Sequence, residues 1–218
     1  MSAKDCGHHD EERWKLLRRI LIAIAGLIIL IAIVIFFIWA ILHPTKPRFI
    51  LQDVTVYNFS TAAGPPYTLT SYIQVTISSR NPNDHIGIYH RKLDVYATYR
   101  TQQITEATLL PGNYQGHKDT VVWSPFLVGS FVPISPYLQQ GLSQDLNFGS
   151  ILINVKIDGR IKWKVGSWIS GTYHLYVNCP AFVRLGEPGA AAGGTVAVGP
   201  VMKFQLFQRC HVETALGS

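Results

Sequence analysis

The distribution of apolar and polar residues changes once along the chain, from a continuous apolar run to an alternating pattern. Ile20 to Leu42 is a run of 23 residues without a polar side chain, and Pro44 and Pro47 follow it. A helix of this length slightly exceeds the roughly 30 Å hydrocarbon core of a bilayer, and only a helix satisfies the backbone groups of a single segment in lipid. The run predicts one transmembrane helix, ended by the prolines.

Beyond the prolines the pattern is that of half-buried strands, whose successive side chains point to opposite faces. It is clearest at Ile151–Val165, where apolar residues keep one parity and polar residues the other. Asp158-Gly159 within this segment suits either a hairpin turn or a bulge in one long strand. The alternation of apolar and polar positions continues unchanged across it, which favours the bulge. Shorter runs of the same kind predict further strands at Phe49–Phe59, Thr68–Ser79, Leu93–Tyr99, Asp119–Trp123, Tyr173–Val177 and Met202–Val212.

Turn-forming residues separate these runs, and only Pro136–Leu146 resembles a helix. Glu187–Gly199 is rich in glycine and alanine, which is typical of a loop. Many short strands separated by turns predict a mainly β fold, an antiparallel sandwich behind the N-terminal helix. The predicted organisation is a basic tail (1–19), a transmembrane helix (20–42), a proline-rich linker (43–48) and a sandwich domain (49–218).

Basic residues are distributed unequally around the apolar run, which predicts its direction. Five precede it and two follow it: Lys4, Arg13, Lys15, Arg18 and Arg19, then Lys46 and Arg48. The more basic flank stays in the cytoplasm, so the C-terminal domain is expected outside the cell. From Phe49 onward twelve basic residues face nine acidic ones, which is no footprint for nucleic acid. A cleaved signal peptide would have a shorter apolar region ending in small residues, unlike this one.

The three cysteines fall on two sides of the predicted membrane. Cys6 lies on the cytoplasmic side, where thiols stay reduced, whereas Cys179 and Cys210 form an even pair in an oxidising compartment. An antiparallel hairpin around the glycine-rich segment would bring Cys179 and Cys210 together, and closing such a loop stabilises a domain by roughly 3–4 kcal/mol. Two buried free thiols are the alternative.

Asn58-Phe59-Ser60 is the only sequence that matches the acceptor pattern for N-glycosylation. It lies 16 residues beyond Leu42, about 50 Å of extended chain, so a transferase at the membrane surface reaches it. The sequence therefore predicts a glycan at Asn58.

Motifs that carry catalysis are missing from the exported domain, which has no G-x-S-x-G, P-loop, G-x-G-x-x-G or H-E-x-x-H pattern. His85 and His90 lie close to Asp84, but no third metal ligand is evident, and surface histidines are the preferred interpretation. The sequence predicts neither an enzyme nor a cofactor.

The most pronounced polar feature is a stripe of four basic residues on the wet face of one predicted strand, namely Lys156, Arg160, Lys162 and Lys164. Such a stripe suits anionic lipid, an acidic wall polysaccharide or a partner protein. A solvated strand face whose charges prevent aggregation at the sheet edge is the simpler alternative, because one polar side per strand is already expected.

Several long segments, in the same order, resemble the plant harpin-induced-like (NHL) membrane proteins, whose ectodomain is the late-embryogenesis-abundant group two domain. The resemblance extends from the apolar run to about His211. It is carried by HPTKPRFILQDVTVYNF (His43–Phe59), SSRNPNDHIGIYHRKLDVYATYR (Ser78–Arg100), QQIT (Gln102–Thr105), YQGHKDTVVWSPFLVG (Tyr114–Gly129) and DGRIKWKVGSWISGTYHLYVNCPA (Asp158–Ala181).

The resemblance implies an immunoglobulin- or fibronectin-like sandwich without enzymatic activity. It implies a plasma-membrane protein linked to defence and the hypersensitive response, with unidentified protein partners, and plasmodesmata as a further location. It also implies that Asn81-Pro82-Asn83 is the signature turn of the domain and that Cys179 and Cys210 are its usual cysteine pair. This chain lacks the Asn-Gly-Asp motif and the apolar C-terminal tail of the best-known resistance member, so adhesion to the wall by that route is not expected.

An alternative function is binding of lipids or other apolar ligands in water stress or at membrane contacts. Its motivation is the link to dehydration proteins and the number of large aromatic residues in the exported domain, which are more often plain core. The residues in question are Trp123, Trp163, Trp168, Phe204 and Phe207.

Overall fold

The structure, a computed structural model, describes residues 7–41, 44–62, 64–184 and 202–217. The chain divides into two compact units, residues 1–43 and residues 44–218. The glycine-rich loop predicted at 187–199 lies outside the described residues.

In the first unit the structure describes one long helix, α1, which spans Gly7–Ile41. Within its segment Arg13–Phe36 an 18-residue window reaches a mean hydropathy of 3.0, and none of that window is buried against other described residues. Length and apolar composition are therefore sufficient to cross a bilayer. The helix begins well before the predicted span at Ile20, because nothing between Gly7 and Ile20 breaks it.

The second unit is mainly β and antiparallel, which confirms the predicted fold class. The strands are β1 (Arg48–Thr61), β2 (Thr68–Arg80), β3 (Ile86–Tyr99), β4 (Gln102–Gln103), β5 (Thr108–Leu110), β6 (Asn113–Gln115), β7 (Thr120–Trp123), β8 (Phe126–Pro133), β9 (Ser150–Val165), β10 (Trp168–Ile169), β11 (Tyr173–Arg184), β12 (Met202–Arg209) and β13 (His211–Leu216). The smaller sheet has the order β12-β1-β2-β7, with β8 also paired to β2. The larger sheet has the order β13-β11-β9-β3-β4, with short strands beside it.

The two sheets enclose one hydrophobic core, filled by the apolar parity of each strand. On β9 the residues Ile151, Val155 and Trp163 are each no more than 4% exposed, as the alternation predicts. β9 runs unbroken through Asp158-Gly159, so the hairpin does not occur and the predicted bulge at Gly159 is wrong. The irregularity lies in the neighbouring strand β3, between His90 and Lys92.

One end of the sandwich is closed by the helix α2, Pro136–Asn147, which agrees with the predicted helix. Pro136 occupies the first turn, and the Ser135 hydroxyl accepts a hydrogen bond from the Leu138 backbone N–H. Leu138, Leu142 and Leu146 recur every fourth residue and are buried on one face. We call this end of the sandwich the α2 pole.

At the opposite end, the linker pole, the chain enters the domain through Thr45. The register pairs Arg48 with Arg80 and Ile86 with Val165, so the ends of four long strands meet there. The 16 residues of β9 at about 3.3 Å each separate the two poles by roughly 50 Å.

Several strand predictions need correction. β3 begins at Ile86 rather than at Leu93, and β11 continues to Arg184 rather than ending at Val177. β8 (Phe126–Pro133) and the short strands β4, β5, β6 and β10 are missing from the prediction. The predicted run Met202–Val212 is two strands in different sheets, because the chain crosses from the smaller to the larger sheet at Cys210.

Candidate functional site

The four residues of the basic stripe lie on the outer face of the larger sheet. Lys156, Arg160, Lys162 and Lys164 alternate along β9 with buried core residues. β9 is flanked by β3 and β11, so the stripe follows a central strand of the sheet. Arg160 is exposed and the three lysines are half-buried.

Aromatic side chains of the neighbouring strands hold the end of the stripe at the linker pole. Lys162 pairs across the sheet with Tyr89. The Lys164 ammonium group lies 5.0 Å from the centre of the Tyr114 ring and 5.8 Å from that of Tyr89, a cation–π geometry. Tyr114 covers Gly87, where an added Cβ would come within 2.5 Å of the Tyr114 hydroxyl. A glycine at this position lets the ring lie flat against the sheet.

Acidic side chains interrupt the stripe near the middle of the sheet. Asp158 on β9 pairs directly with Asp94 on β3. The Lys92 ammonium group lies 2.8 Å from Asp94 Oδ2, which compensates one of the two carboxylates. The uninterrupted positive part therefore comprises Arg160, Lys162 and Lys164; we call it the cationic segment.

Beside Lys156 lies a shallow cavity of about 310 Å³ on the same outer face. Its lining combines apolar surface with the charged side chains of Lys156 and Glu213 and the amide of Asn178. Burial and, secondarily, the charge of Asp158 raise the pKa of Tyr96 at its edge. Charged and amide side chains beside apolar surface suit a ligand that itself carries polar groups.

The signature turn at the linker pole is organised by Asn81, which is completely buried. Asn81 Nδ2 donates to the carbonyl oxygens of Ile86 and Gly116, at 2.7 and 2.8 Å. Asn81 Oδ1 accepts from the backbone N–H of Asn83 at 3.0 Å and from Asn83 Nδ2 at 2.9 Å. All hydrogen-bonding positions of one amide are used, so the turn joins β2, β3 and the loop after β6.

Asn83 extends this network to the linker. Its Oδ1 accepts from the Thr45 backbone N–H, and its Nδ2 donates to the Thr45 carbonyl oxygen, both at 2.8 Å. The side-chain amide thereby pairs with the linker as a backbone peptide would. Lys118 Nζ donates to the Pro82 carbonyl oxygen at 2.9 Å and lies 2.9 Å from Asp84 Oδ1, an exposed ion pair that lowers the pKa of Asp84. The signature turn therefore has a structural role, fixing where the chain enters the sandwich.

Cys179 and Cys210 form a disulfide, with Cα atoms 4.3 Å apart. The simple hairpin is not how they meet, because Cys179 lies within β11 of the larger sheet and Cys210 lies where the chain crosses between sheets. The Cys210 backbone N–H donates to the Phe49 carbonyl oxygen of the smaller sheet at 3.0 Å. The disulfide thus connects the two sheets at the crossing point.

Asn58, the predicted glycosylation site, is exposed on β1. It pairs with Tyr72 of β2, immediately after a register shift between Val56 and Asn58. An exposed side chain on an outer sheet face is accessible for modification, and the glycan itself stays a prediction.

His90 is only 2% exposed, so its interpretation as a surface histidine is wrong. Gln115 Nε2 donates to two carbonyl oxygens, leaving Gln115 Oε1 to accept from His90 Nε2 at 3.0 Å. His90 therefore carries its proton on Nε2, and within the described residues its buried Nδ1 has no partner. Burial lowers the pKa of His90. In the alternating sequence pattern His90 falls at a position of the apolar set, and this was the signal for its burial.

The other residues considered from the sequence as ligand-binding candidates do not come together at one site. Trp123 and Trp163 are core residues, whereas Trp168 and Phe207 are 63% and 69% exposed; the Phe204 side chain lies outside the described residues. In the part of the chain that the structure describes, no three His, Cys, Asp or Glu side chains converge as metal ligands would.

Comparison with known proteins identifies one matching family profile and several similar proteins that share one name. The sequence profile of the family described as "Late embryogenesis abundant protein" matches residues 76–179. The chain is 49% identical over 210 residues to "NDR1/HIN1-like protein 1" of Arabidopsis thaliana, covering 96% of this chain and 99% of that protein. It is also 49% identical over 214 residues to "NDR1/HIN1-like protein 12" of the same plant, covering 98% and 100%. Its identity to "NDR1/HIN1-like protein 26" is 40% over 154 residues, covering 71% and 72%.

Proposed function

Because the chain belongs to the NDR1/HIN1-like protein family, we propose that it is a non-enzymatic plant plasma-membrane protein that contributes to defence and hypersensitive-response signalling. In this proposal α1 anchors the protein, and the sandwich is displayed outside the cell and acts through contacts with other proteins.

The observation that carries the proposal is an apolar helix followed by a domain with a disulfide. Disulfides persist in oxidising compartments, which supports a position of the Cys179–Cys210 pair outside the cytosol. The five basic residues before the apolar run and the two after it independently favour the same orientation.

The surface that we assign to protein contacts is the cationic segment together with Tyr89 and Tyr114. Three cations on one flat sheet face, held beside aromatic rings, suit an acidic patch of a partner. In the alternative function, binding of an apolar ligand, the 310 Å³ cavity would place charged and amide side chains against that ligand.

Protease treatment of sealed protoplasts tests the orientation. Protein tagged at both ends is expressed in plant cells, and the intact protoplasts are exposed to a protease. We expect the C-terminal tag and the domain to be degraded or shaved off while the N-terminal tag is protected by the membrane. Loss of the N-terminal tag with a protected C-terminal tag, in cells that remain sealed, would reverse the topology.

A charge-reversal variant tests the contact surface. Arg160→Glu/Lys162→Glu should reduce hypersensitive cell death after elicitor treatment, compared with the parent in plants lacking the endogenous protein. Arg184→Glu, an exposed site at the far end of β11, is the matched control and should behave as the parent. Equal responses of all three proteins, at equal abundance on the cell surface, would remove the cationic segment from the proposal.

A further inference from the structure

Three aromatic rings lie together on the outer face of the smaller sheet, where an antiparallel strand normally presents polar residues. Tyr72 and Phe126 are stacked with ring centres 5.3 Å apart, and Tyr57 lies 5.4 Å from Tyr72. Tyr57 and Tyr72 are 37% exposed, Phe126 is 42% exposed and adjacent Val128 is 39% exposed. We call these four residues the aromatic patch. A contiguous exposed apolar surface of this kind commonly marks a place that another group covers.

The aromatic patch is ordered and uncharged. The Tyr57 hydroxyl donates to Gln74 Oε1 at 2.9 Å, which fixes the orientation of that ring. The patch contains no ionisable group other than the two phenols, and its polar neighbour Gln74 is a neutral amide. These features favour a neutral occupant that combines apolar faces with hydrogen-bonding groups.

The glycosylation sequon lies directly beside the aromatic patch. Asn58 pairs with Tyr72 across the β1–β2 ladder, and side chains in such pairs have Cβ atoms about 4.5–5.5 Å apart. The register shift between Val56 and Asn58 makes Tyr57 an extra residue, so that Tyr57 and Asn58 are both exposed. A group attached to Asn58 Nδ2 would therefore emerge next to two of the three rings.

The first sugar of an N-linked glycan matches this surface chemically. Its pyranose ring presents C–H groups on one face, and its acetamide carries a methyl group. Polarised C–H groups bind to the electron-rich face of an aromatic ring. The sugar hydroxyls remain in water, so that packing on the rings does not require their desolvation.

We propose that Asn58 carries an N-linked glycan whose first sugars pack on Tyr57 and Tyr72 and cover the aromatic patch. In the transfer, Asn58 Nδ2 bonds to C1 of N-acetylglucosamine and loses a proton, while the bond from C1 to the diphosphate of the lipid-linked oligosaccharide donor breaks and the lipid diphosphate leaves. This inference rests on the proposed exported position of the domain, because the transferase acts on the lumenal side.

Occupancy of Asn58 is tested on the full chain expressed in plant cells. Removal of N-glycans should increase the gel mobility of the parent and leave Ser60→Ala, which lacks the sequon, unchanged. Gln103→Asn creates a second sequon with Thr105 at an exposed position on β4, and serves as the export control. A glycan at position 103 without one at Asn58 would overturn this inference alone; glycans at neither position would contradict the proposed export as well.

Packing on the rings is tested by thermal unfolding of the purified full chain in detergent. We expect the glycan to raise the thermal unfolding midpoint of the parent protein by about 2–4 °C. This is the shift that about 1 kcal/mol of added stability produces in a domain of this size. Trimming to a single N-acetylglucosamine should preserve this shift, and complete removal should abolish it. In Tyr72→Ser the glycan should no longer change the midpoint.

Phe148→Ser provides the matched control, because Phe148 is 84% exposed and leads into β9 of the larger sheet, whereas the aromatic patch lies on the smaller sheet. The glycan should raise the thermal unfolding midpoint of Phe148→Ser by the same amount as in the parent. An occupied Asn58 whose glycan shifts the parent and Tyr72→Ser equally would show that the rings and the sugar do not interact, and the proposal would be abandoned.

Discussion

Replacing Asn81 by alanine should destabilise the sandwich more than replacing any other polar residue of the signature turn. Asn81 is 0% exposed, and its amide takes part in four hydrogen bonds, to Ile86, Gly116 and twice to Asn83. A buried hydrogen bond contributes about 0.5–1.5 kcal/mol net, and Ile86, whose carbonyl oxygen loses its partner, is buried. Asn81→Ala should therefore lower the free energy of unfolding by about 4 kcal/mol, a large part of the total for an ordinary domain.

Asn83→Ala should cost less, although it removes three hydrogen bonds. Two of them join Asn83 to the backbone of Thr45, which is exposed, so that water replaces the lost partner. We expect a loss of about 1–2 kcal/mol. A second readout is specific to this variant: the Thr45 amide, which donates to Asn83 Oδ1, should exchange its hydrogen at least about tenfold faster, corresponding to 1.4 kcal/mol.

Urea unfolding of the full chain in detergent micelles, followed by the fluorescence of buried Trp123 and Trp163, measures both changes. With a slope of about 2 kcal/mol/M, Asn81→Ala should lower the midpoint by about 2 M. Asn178→Ala, at an exposed position of β11, is the control and should stay within about 0.5 kcal/mol of the parent. A loss below about 1 kcal/mol for Asn81→Ala, or a larger loss for Asn83→Ala, would refute the assigned role of the network.

Three further variants are informative about the core. Cys210→Ser, which opens the loop of 31 residues to Cys179, should cost about 3–4 kcal/mol in urea unfolding, and full stability without the disulfide would contradict its placement. Because burial lowers the pKa of His90 below its ordinary 6.5, the unfolded chain binds a proton that the folded chain does not. Stability should therefore fall as the pH drops below about 6.5, and His90→Gln should remove this part of the pH profile; an unchanged profile would exclude His90 as its source. Gly159→Ala should cost about 1–3 kcal/mol, because its Cβ would collide with the Leu93 side chain, and a neutral effect would mean that the strands separate easily.

The local pattern of apolar and polar residues was sufficient to predict those features that depend on a single strand or helix. The parity of β9 assigned Ile153 and Ile157 to the core and Lys162 to the outer face, because adjacent residues of a strand point to opposite sides. The helix predicted from Pro136 begins at that residue in the structure, where the Ser135 side chain caps it. Such signals are contained within a few residues and are readable from sequence alone.

β8 shows where local pattern failed. Phe126–Pro133 contains Gly129, Ser130 and Pro133, residues with weak strand preference, and pairing with β2 makes it a strand nonetheless. The hydrogen-bond partner of His90 is Gln115, which is 25 residues away in the chain, so no local pattern identifies it.

The sequence by itself determined the apolar helix, the antiparallel sandwich and the face on which each long strand presents its side chains, because hydrophobic periodicity encodes these locally. Only the tertiary structure decided that Asn81 is bound to Gly116, that Asn83 is bound to Thr45 and that Cys210 lies between the sheets. These partners are separated by more than 30 residues, and no spacing along the chain specifies which distant backbone groups an amide or a thiol will meet.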